Sequence, residues 1–183
     1  MVVEGEKSSF QIVISGVPQG TVLGPILFIL YIDDQLDTLL TALGKVFADD
    51  TKLISKIADL VARYLLQEDL FNVIQWALQN NMQLNETKFE VINYKLNKSL
   101  LLRELPFSNE DYSYSLTNGD TIEPTQTVRD LGVLLSNDCS WTPHIHQMLK
   151  TAKKMASWVF SDRSPFLMLT LFKTMLRSRL EYC

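Results

Sequence analysis

The sequence predicts an α+β fold, an antiparallel sheet with helices packed on one face, followed by a mostly helical annex. Three observations lead there. Short β-branched or aromatic runs alternate with longer runs at helical spacing between residues 10 and 135. Two hairpin signals fall among them, an acidic one within 46–54 and the dipeptide Asn118-Gly119. Two proline-opened helices, at Thr142-Pro143 and Ser164-Pro165, then finish the chain.

Phe10 to Ile14 supplies a first short strand, broken by the turn chemistry of Gly16, Pro18 and Gly20. Pro25 suits the first position of a helix after Gly24. Ile26 to Ile32 is apolar on every side, the pattern of a helix sunk into a core, and the helix is expected to reach about Leu40. Two apolar runs, Val46-Phe47-Ala48 and Leu53-Ile54, are split by Asp49-Asp50-Thr51-Lys52, which reads as a hairpin with acids at its tip. Leu60, Val61, Leu65, Leu66, Leu70, Val73, Ile74, Ala77 and Leu78 recur at helical spacing, which predicts a long amphipathic helix from roughly Ile57 to Asn80, ended by Asn80-Asn81. Phe89 to Tyr94 reads as a strand. Tyr112, Tyr114 and Leu116 alternate toward Asn118-Gly119, and Val128 to Leu135 supplies one more strand. In the last two helices Thr142 and Ser164 are the expected N-cap hydroxyls.

With 183 residues, 46% of them hydrophobic and 21% charged, the chain can bury a core and favours one domain with an appendage. Asp33 and Asp34 interrupt the longest apolar run, so none reaches the roughly 20 residues of a membrane span. An intracellular protein is expected, nucleus against cytoplasm left open. Cys139 and Cys183 stand far apart with no histidine at ligand spacing, which argues against a disulfide framework or zinc site and for ordinary buried or terminal thiols. The net charge of -4 is unevenly spread: 10 basic and 19 acidic residues up to Leu149, then 7 basic and 2 acidic. The basic C-terminal part, with Lys150, Lys153, Lys154 and Arg177, is suited either to phosphates or to a solvated helix face.

The candidate chemistry lies at Asp49-Asp50. Phosphoryl transfer needs divalent metals held by carboxylates, and a hairpin tip offers two hard oxygen donors on a protruding backbone. Adjacent aspartates also cap ordinary turns, so the pair decides nothing without its context. Asp33-Asp34, within Tyr31-Ile32-Asp33-Asp34, is a built-in control. It superficially matches the tyrosine-x-Asp-Asp box of retroviral polymerases, but it ends a continuous helical run, and neighbours on a helix diverge by about 100°.

The context is Ser15-Gly16-Val17-Pro18-Gln19-Gly20-Thr21-Val22-Leu23-Gly24-Pro25 followed by Phe47-Ala48-Asp49-Asp50-Thr51-Lys52-Leu53. These paired stretches closely resemble the signatures of reverse transcriptases of non-LTR retrotransposons. The resemblance continues through Leu66-Gln67-Glu68-Asp69-Leu70, Trp76, Asn85 to Lys88, Asp130-Leu131-Gly132-Val133 and Leu180-Glu181-Tyr182-Cys183, nearly the whole chain. It implies an incomplete polymerase palm over 1–138 and the start of a helical thumb over 139–183. It implies Asp49 as metal ligand with Asp50 its companion, Mg2+ or alternatively Mn2+ as the ion, and Phe47 and Ala48 lining the floor near the primer end. Pro18, Gln19 and Gly20 resemble the turn that approaches the incoming nucleotide, Lys88 the basic residue that assists pyrophosphate departure, and Leu131-Gly132 the strand that braces the primer terminus. Implied partners are an RNA template, a DNA primer and deoxynucleotides.

A complete palm of that family carries an earlier strand with another aspartate. Only Met1 to Phe10 precede the first strand here, and Glu4 and Glu6, flanking Gly5 in an apparent turn, do not match it. The expectation is a fragment inactive alone. The rival readings are a non-catalytic module binding RNA or RNA–DNA hybrid through the basic helices, an inert transposon remnant, and a helical partner that self-associates through apolar faces opened by truncation.

Overall fold

The computed structural model describes residues 2–3, 6–7, 9, 16, 20–94, 112–159 and 164–182. The strand expected over Phe10 to Ile14 lies outside them, as do Pro18 and Gln19. The chain forms two compact units, Met1–Leu84 and Asn85–Cys183.

In the first unit β1 (Val2–Val3) pairs antiparallel with β2 (Glu6–Lys7). Helix α1 (Gly24–Ile32) opens on Pro25 and passes into a 3-10 turn over Asp33–Thr38. The expected continuation toward Leu40 is thus present, but more tightly wound. The hairpin strands β3 (Leu43–Phe47) and β4 (Asp50–Ile54) follow, then α2 (Leu60–Gln79). Asp59 caps α2 by accepting from the Ala62 N–H at 2.7 Å, and Asn80 ends it. Ile32, Trp76 and Ala77 form the core of this unit, with Phe28, Val46, Met82 and Leu84 packed against them.

Two expectations need correction here. Helix α1 is not sunk into a core: only Gly24 and Ile32 are buried, and Ile26, Ile29 and Leu30 are exposed. All-round hydrophobicity signals that every face could be covered, not that this chain covers it. Nor is the α2 stripe purely apolar, since Arg63, Gln67 and Asp69 are buried while Leu60, Val61 and Leu78 are exposed.

The second unit begins with a 3-10 turn (Glu86–Lys88) and β5 (Val91–Ile92), which runs parallel to β8 (Pro124–Thr125). Strand β6 (Tyr114–Ser115) meets β7 (Thr121–Ile122) antiparallel around Asn118-Gly119, where Gly119 has φ +90 as that turn demands. The strand expected from Val128 to Leu135 is instead a hairpin. Strands β9 (Thr127–Asp130) and β10 (Val133–Ser136) pair antiparallel with Leu131-Gly132 as the two-residue turn. Both turn residues have positive φ, +46 and +89, the requirement of a type I′ connection. Helices α3 (Thr142–Val159), α4 (Pro165–Leu171) and α5 (Ser178–Leu180) follow, with a π-helical turn (Phe172–Arg177) between the last two. Thr142 lies inside α3; Ser164 occupies the expected N-cap position of α4 ahead of Pro165, but its side chain makes no capping bond. Cys139 is exposed at φ +59 rather than buried, and Cys183 lies outside the described residues.

The chain is thus mixed helix and sheet, but the described strands form five separate two-stranded ladders and not one antiparallel sheet. A two-stranded hairpin is marginal by itself, and β4 and β10 instead pack against α2 and α3 respectively. No described helix is long and apolar enough to cross a membrane.

Candidate active site

The register of the acidic hairpin fixes where its carboxylates stand. Phe47 pairs with Asp50, so the connection is the two-residue turn Ala48-Asp49, and Asp50, Thr51 and Lys52 belong to β4 and not to the loop. Ala48 takes φ +51, the left-handed conformation found at the first position of primed turns. Alternation then puts Phe47, Asp50, Lys45 and Lys52 on one face, and Gly44, Val46, Thr51 and Leu53 on the other. Phe47, Ala48, Asp49 and Asp50 are all exposed, so both carboxylates reach solvent at a protruding tip.

The opposite face fixes the hairpin to the unit. The Thr51 hydroxyl donates to Gln35 Oε1 at 3.0 Å, and Gln35 is only 1% exposed. A Cβ on Gly44 would stand 2.4 Å from Leu36 Cδ2 and 2.7 Å from Leu39 Cδ1, so glycine lets β3 lie directly on the 3-10 turn.

Helix α2 holds the entry to β3. The Asp69 side chain, wholly buried, accepts from the Thr41 N–H at 3.1 Å, the Ala42 N–H at 2.7 Å, the Thr41 hydroxyl at 3.2 Å and the Leu40 N–H. One carboxylate thereby satisfies three successive backbone donors. Toward the C-terminus of α2, Asn72 Nδ2 donates to the Thr38 carbonyl at 3.2 Å, Trp76 Nε1 donates to Asp34 Oδ1 at 3.0 Å, and the Asn80 carbonyl accepts from the Tyr31 hydroxyl. Positions 69, 72, 76 and 80 line one stripe of the helix, and their partners run backward along 42 to 31. Rung by rung, α2 sets the path of the segment that delivers β3. Asp34 is thereby committed to Trp76, which suits its reading as part of a helix exit and not a metal pair.

What the tip can hold follows from its donors. Asp49 and Asp50 offer hard carboxylate oxygens, the ligand type that Mg2+ selects. Among the described residues no group of three or more His, Cys, Asp or Glu side chains gathers into a metal site. Two carboxylates therefore fit part of a coordination shell, not the whole of one.

Comparison with known proteins decides the family. A family model described as reverse transcriptase (RNA-dependent DNA polymerase) matches residues 1–135. The chain is a member of the reverse transcriptase family. It is 30% identical over 176 residues to the RNA-directed DNA polymerase from mobile element jockey of Drosophila melanogaster, across 88% of this chain. It is 26% identical over 174 residues to the protein of the same description from Drosophila funebris, again across 88% of this chain. These relatives support a place among the reverse transcriptases of non-LTR retrotransposons. The chain spans 18% of the length of each of these curated relatives. No solved structure matches it.

The remaining positions of this reverse transcriptase chain are distributed as follows. Gly20 is exposed in a turn at φ +79, with Pro18 and Gln19 outside the described residues. Lys88 is exposed at the end of its 3-10 turn, in the second unit. Leu131 and Gly132 form a hairpin turn, not a strand. Lys150, Lys153 and Lys154 are exposed at helical spacing on α3, which carries no acidic residue. Arg177 pairs with Glu181, Nε to Oε1 at 2.7 Å, which ties part of its charge within its own helix.

The residues that inspection of the sequence overlooked are the supports: Gln35, Gly44, Asp69 and Asn72. Asp69 sits in the Leu66-Gln67-Glu68-Asp69-Leu70 stretch that carries the family resemblance, and it precedes Trp76 by two helical turns. That spacing was the available signal.

Proposed function

We propose that this chain is part of the palm of an RNA-directed DNA polymerase, with the start of its thumb, and that it does not polymerise alone. The whole enzyme adds deoxynucleotides to a DNA primer on an RNA template. Residues 1–138 are read as palm and 139–183 as the first part of the thumb. The observation that carries the reading is the two-residue Ala48-Asp49 turn, which presents Asp49 and Asp50 to solvent on a hairpin braced from behind by Gln35, Gly44 and Asp69.

In this reading Asp49 ligates the metal and Asp50 supports it, while Phe47 and Ala48 floor the primer end. Mg2+, with Mn2+ as substitute, supplies neutralisation of the phosphate charge when bound. Gly20, with Pro18 and Gln19, approaches the nucleotide through backbone that only a small residue leaves accessible. Lys88 donates a proton or positive charge toward the departing pyrophosphate. The family resemblance implies a further aspartate from an earlier palm strand for the two-metal site, and Asp49 with Asp50 alone are read as too few donors to hold both ions, so the isolated chain is read as inactive.

A primer-extension assay on an RNA template with Mg2+ tests this. No extension by the chain is the expected result; synthesis that disappears in Asp49→Asn would overturn the inactivity and keep the polymerase reading. Titration with Mn2+ tests the site itself. Paramagnetic broadening of the amide signals should begin at Ala48 to Thr51 and vanish in the Asp49→Asn, Asp50→Asn double variant, and uniform broadening would sink the assignment.

A second reading is favoured by α3. Lys150, Lys153 and Lys154 form an exposed basic stripe on a helix without acids, suited to the phosphates of RNA or an RNA–DNA hybrid. Here the chain is a binding module. Its affinity for a hybrid duplex should fall steeply with salt, and replacing the three lysines by glutamine should reduce the log–log slope by about 2–3. Affinity independent of salt and of these lysines would exclude it.

A further inference from the structure

The Leu131-Gly132 turn is held from a distance. The Tyr182 hydroxyl donates to the Leu131 carbonyl at 2.7 Å across 51 residues of sequence. Its ring lies on Gly132: a Cβ there would meet Tyr182 Cε1 at 3.3 Å, Oη at 3.7 Å and Cζ at 3.8 Å. Both contacts fall on a turn whose two residues are in the left-handed region, φ +46 and +89. For leucine that conformation is disfavoured by about 1–2 kcal/mol, so the surroundings must hold it.

Tyr182 is itself steadied by the helix before it. The Glu181 N–H donates to the Arg177 carbonyl at 2.9 Å, and the Glu181 carboxylate receives Arg177 Nε. Leu131 is 41% exposed and Tyr182 53%, so the latch lies at the surface and leaves the turn open to a ligand. An exposed bond of this kind adds little to global stability, and its effect falls on the shape of the turn.

We propose that Tyr182 is a positioning residue for the Leu131-Gly132 turn, fixing it in the form in which it braces the 3′ end of a primer. The proposal rests on the family resemblance that assigns Leu131-Gly132 to bracing the primer terminus, a role expected of a strand and carried over here to the turn that these residues form. It unites two stretches of family resemblance that the sequence separates, Asp130-Leu131-Gly132-Val133 and Leu180-Glu181-Tyr182-Cys183.

The test is Tyr182→Phe in the full chain, which removes the hydroxyl and keeps the ring, with Gly132→Ala as a second variant that both crowds the ring and strains the φ +89 position of the turn. Three quantities are measured: amide hydrogen exchange at Gly132 and Val133, the melting temperature, and affinity for an RNA–DNA hybrid with a recessed DNA 3′ end against a blunt hybrid of equal paired length. In both variants exchange at the turn should rise about threefold to tenfold, and preference for the recessed end should fall by a similar factor, the loss of one net hydrogen bond. The melting temperature of Tyr182→Phe should move little. Unchanged exchange in Tyr182→Phe overturns the latch. Faster exchange with an unaltered preference, or no preference in the parent chain, overturns instead the primer reading of the turn and with it the proposed role.

Discussion

Asp69 accepts the Ala42 N–H at 2.7 Å, and this bond joins the middle of α2 to the residue that precedes β3. Together with the bonds from Leu40 and Thr41, it makes a wholly buried carboxylate the organiser of the approach to the acidic hairpin. Burial and exposure are thereby divided between different aspartates. Asp69 holds the backbone, and Asp49 and Asp50 face solvent.

That division predicts opposite results from similar substitutions. Asp69→Ala leaves three backbone donors without their acceptor and should destabilise the chain by about 3 kcal/mol or more. Asp49→Asn and Asp50→Asn remove exposed charges and should change stability by less than about 0.5 kcal/mol. Urea unfolding with unchanged slope measures both. A stability loss at Asp49 equal to that at Asp69 would show that the tip aspartates are structural.

Asp33 and Asp34 should also differ. Asp34→Ala loses its bond from Trp76 and leaves a buried indole N–H unsatisfied, a cost of about 1–2 kcal/mol. Asp33→Ala should be nearly neutral. Neither should alter Mn2+-induced broadening at Ala48 to Thr51. Broadening lost in either variant would revive the pair as metal ligands.

Gly44 tests the seating of the hairpin. A valine there would drive into Leu36 and Leu39 and should cost about 1–3 kcal/mol, while alanine, meeting only movable leucine methyl groups, should cost less. Chemical denaturation of the two variants would reverse this order only if β3 did not lie on the 3-10 turn.

The open face of α1 predicts self-association. Ile26, Ile29 and Leu30 are 52%, 59% and 67% exposed, near Val22 and Leu23 at 87% and 63%. A contiguous apolar surface of this kind drives association. Sedimentation should show concentration-dependent oligomers that an Ile29→Glu, Leu30→Glu variant disperses. A parent chain monomeric throughout would refute the expectation.

On the acid side, Asp138 is a defined contributor to the pH response. Asp138 is held below the ordinary carboxylate value by the Ser136 side chain first and then by the Ser140 N–H, which donates to Oδ1 at 2.9 Å. A depressed folded value means stability that is present above the unfolded value of about 3.9 and lost as pH falls through the folded value. The stability difference between the parent chain and Asp138→Ala should therefore shrink below about pH 4. A difference that stays constant down to pH 2 would remove the assignment.

Much of the local structure was legible in the residues themselves. Val46 to Ile54 announced a hairpin, Asn118-Gly119 a tight turn, and Asn80-Asn81 the end of α2, because turn chemistry and capping are settled among residues a few positions apart. The paired motifs around Pro18 to Gly20 and Asp49-Asp50 pointed to the family. The finer positions did not follow. Leu131-Gly132 falls inside an apolar run that reads as one strand, and only the register of β9 with β10 shows a turn there.

The sequence by itself determined the family, the kinds of element and the acidic tip, since each depends on short-range preferences or on motifs carried in order. Tertiary structure alone decided which polar residues would be buried. Asp69, Asn72 and Trp76 find their partners 27 to 42 residues away, and Tyr182 reaches Leu131 across 51. An aspartate at helical spacing looks the same whether water or three backbone N–H groups surround it. Its role is fixed by the free energy of satisfying those donors in a dry interior, and that depends on where the chain returns.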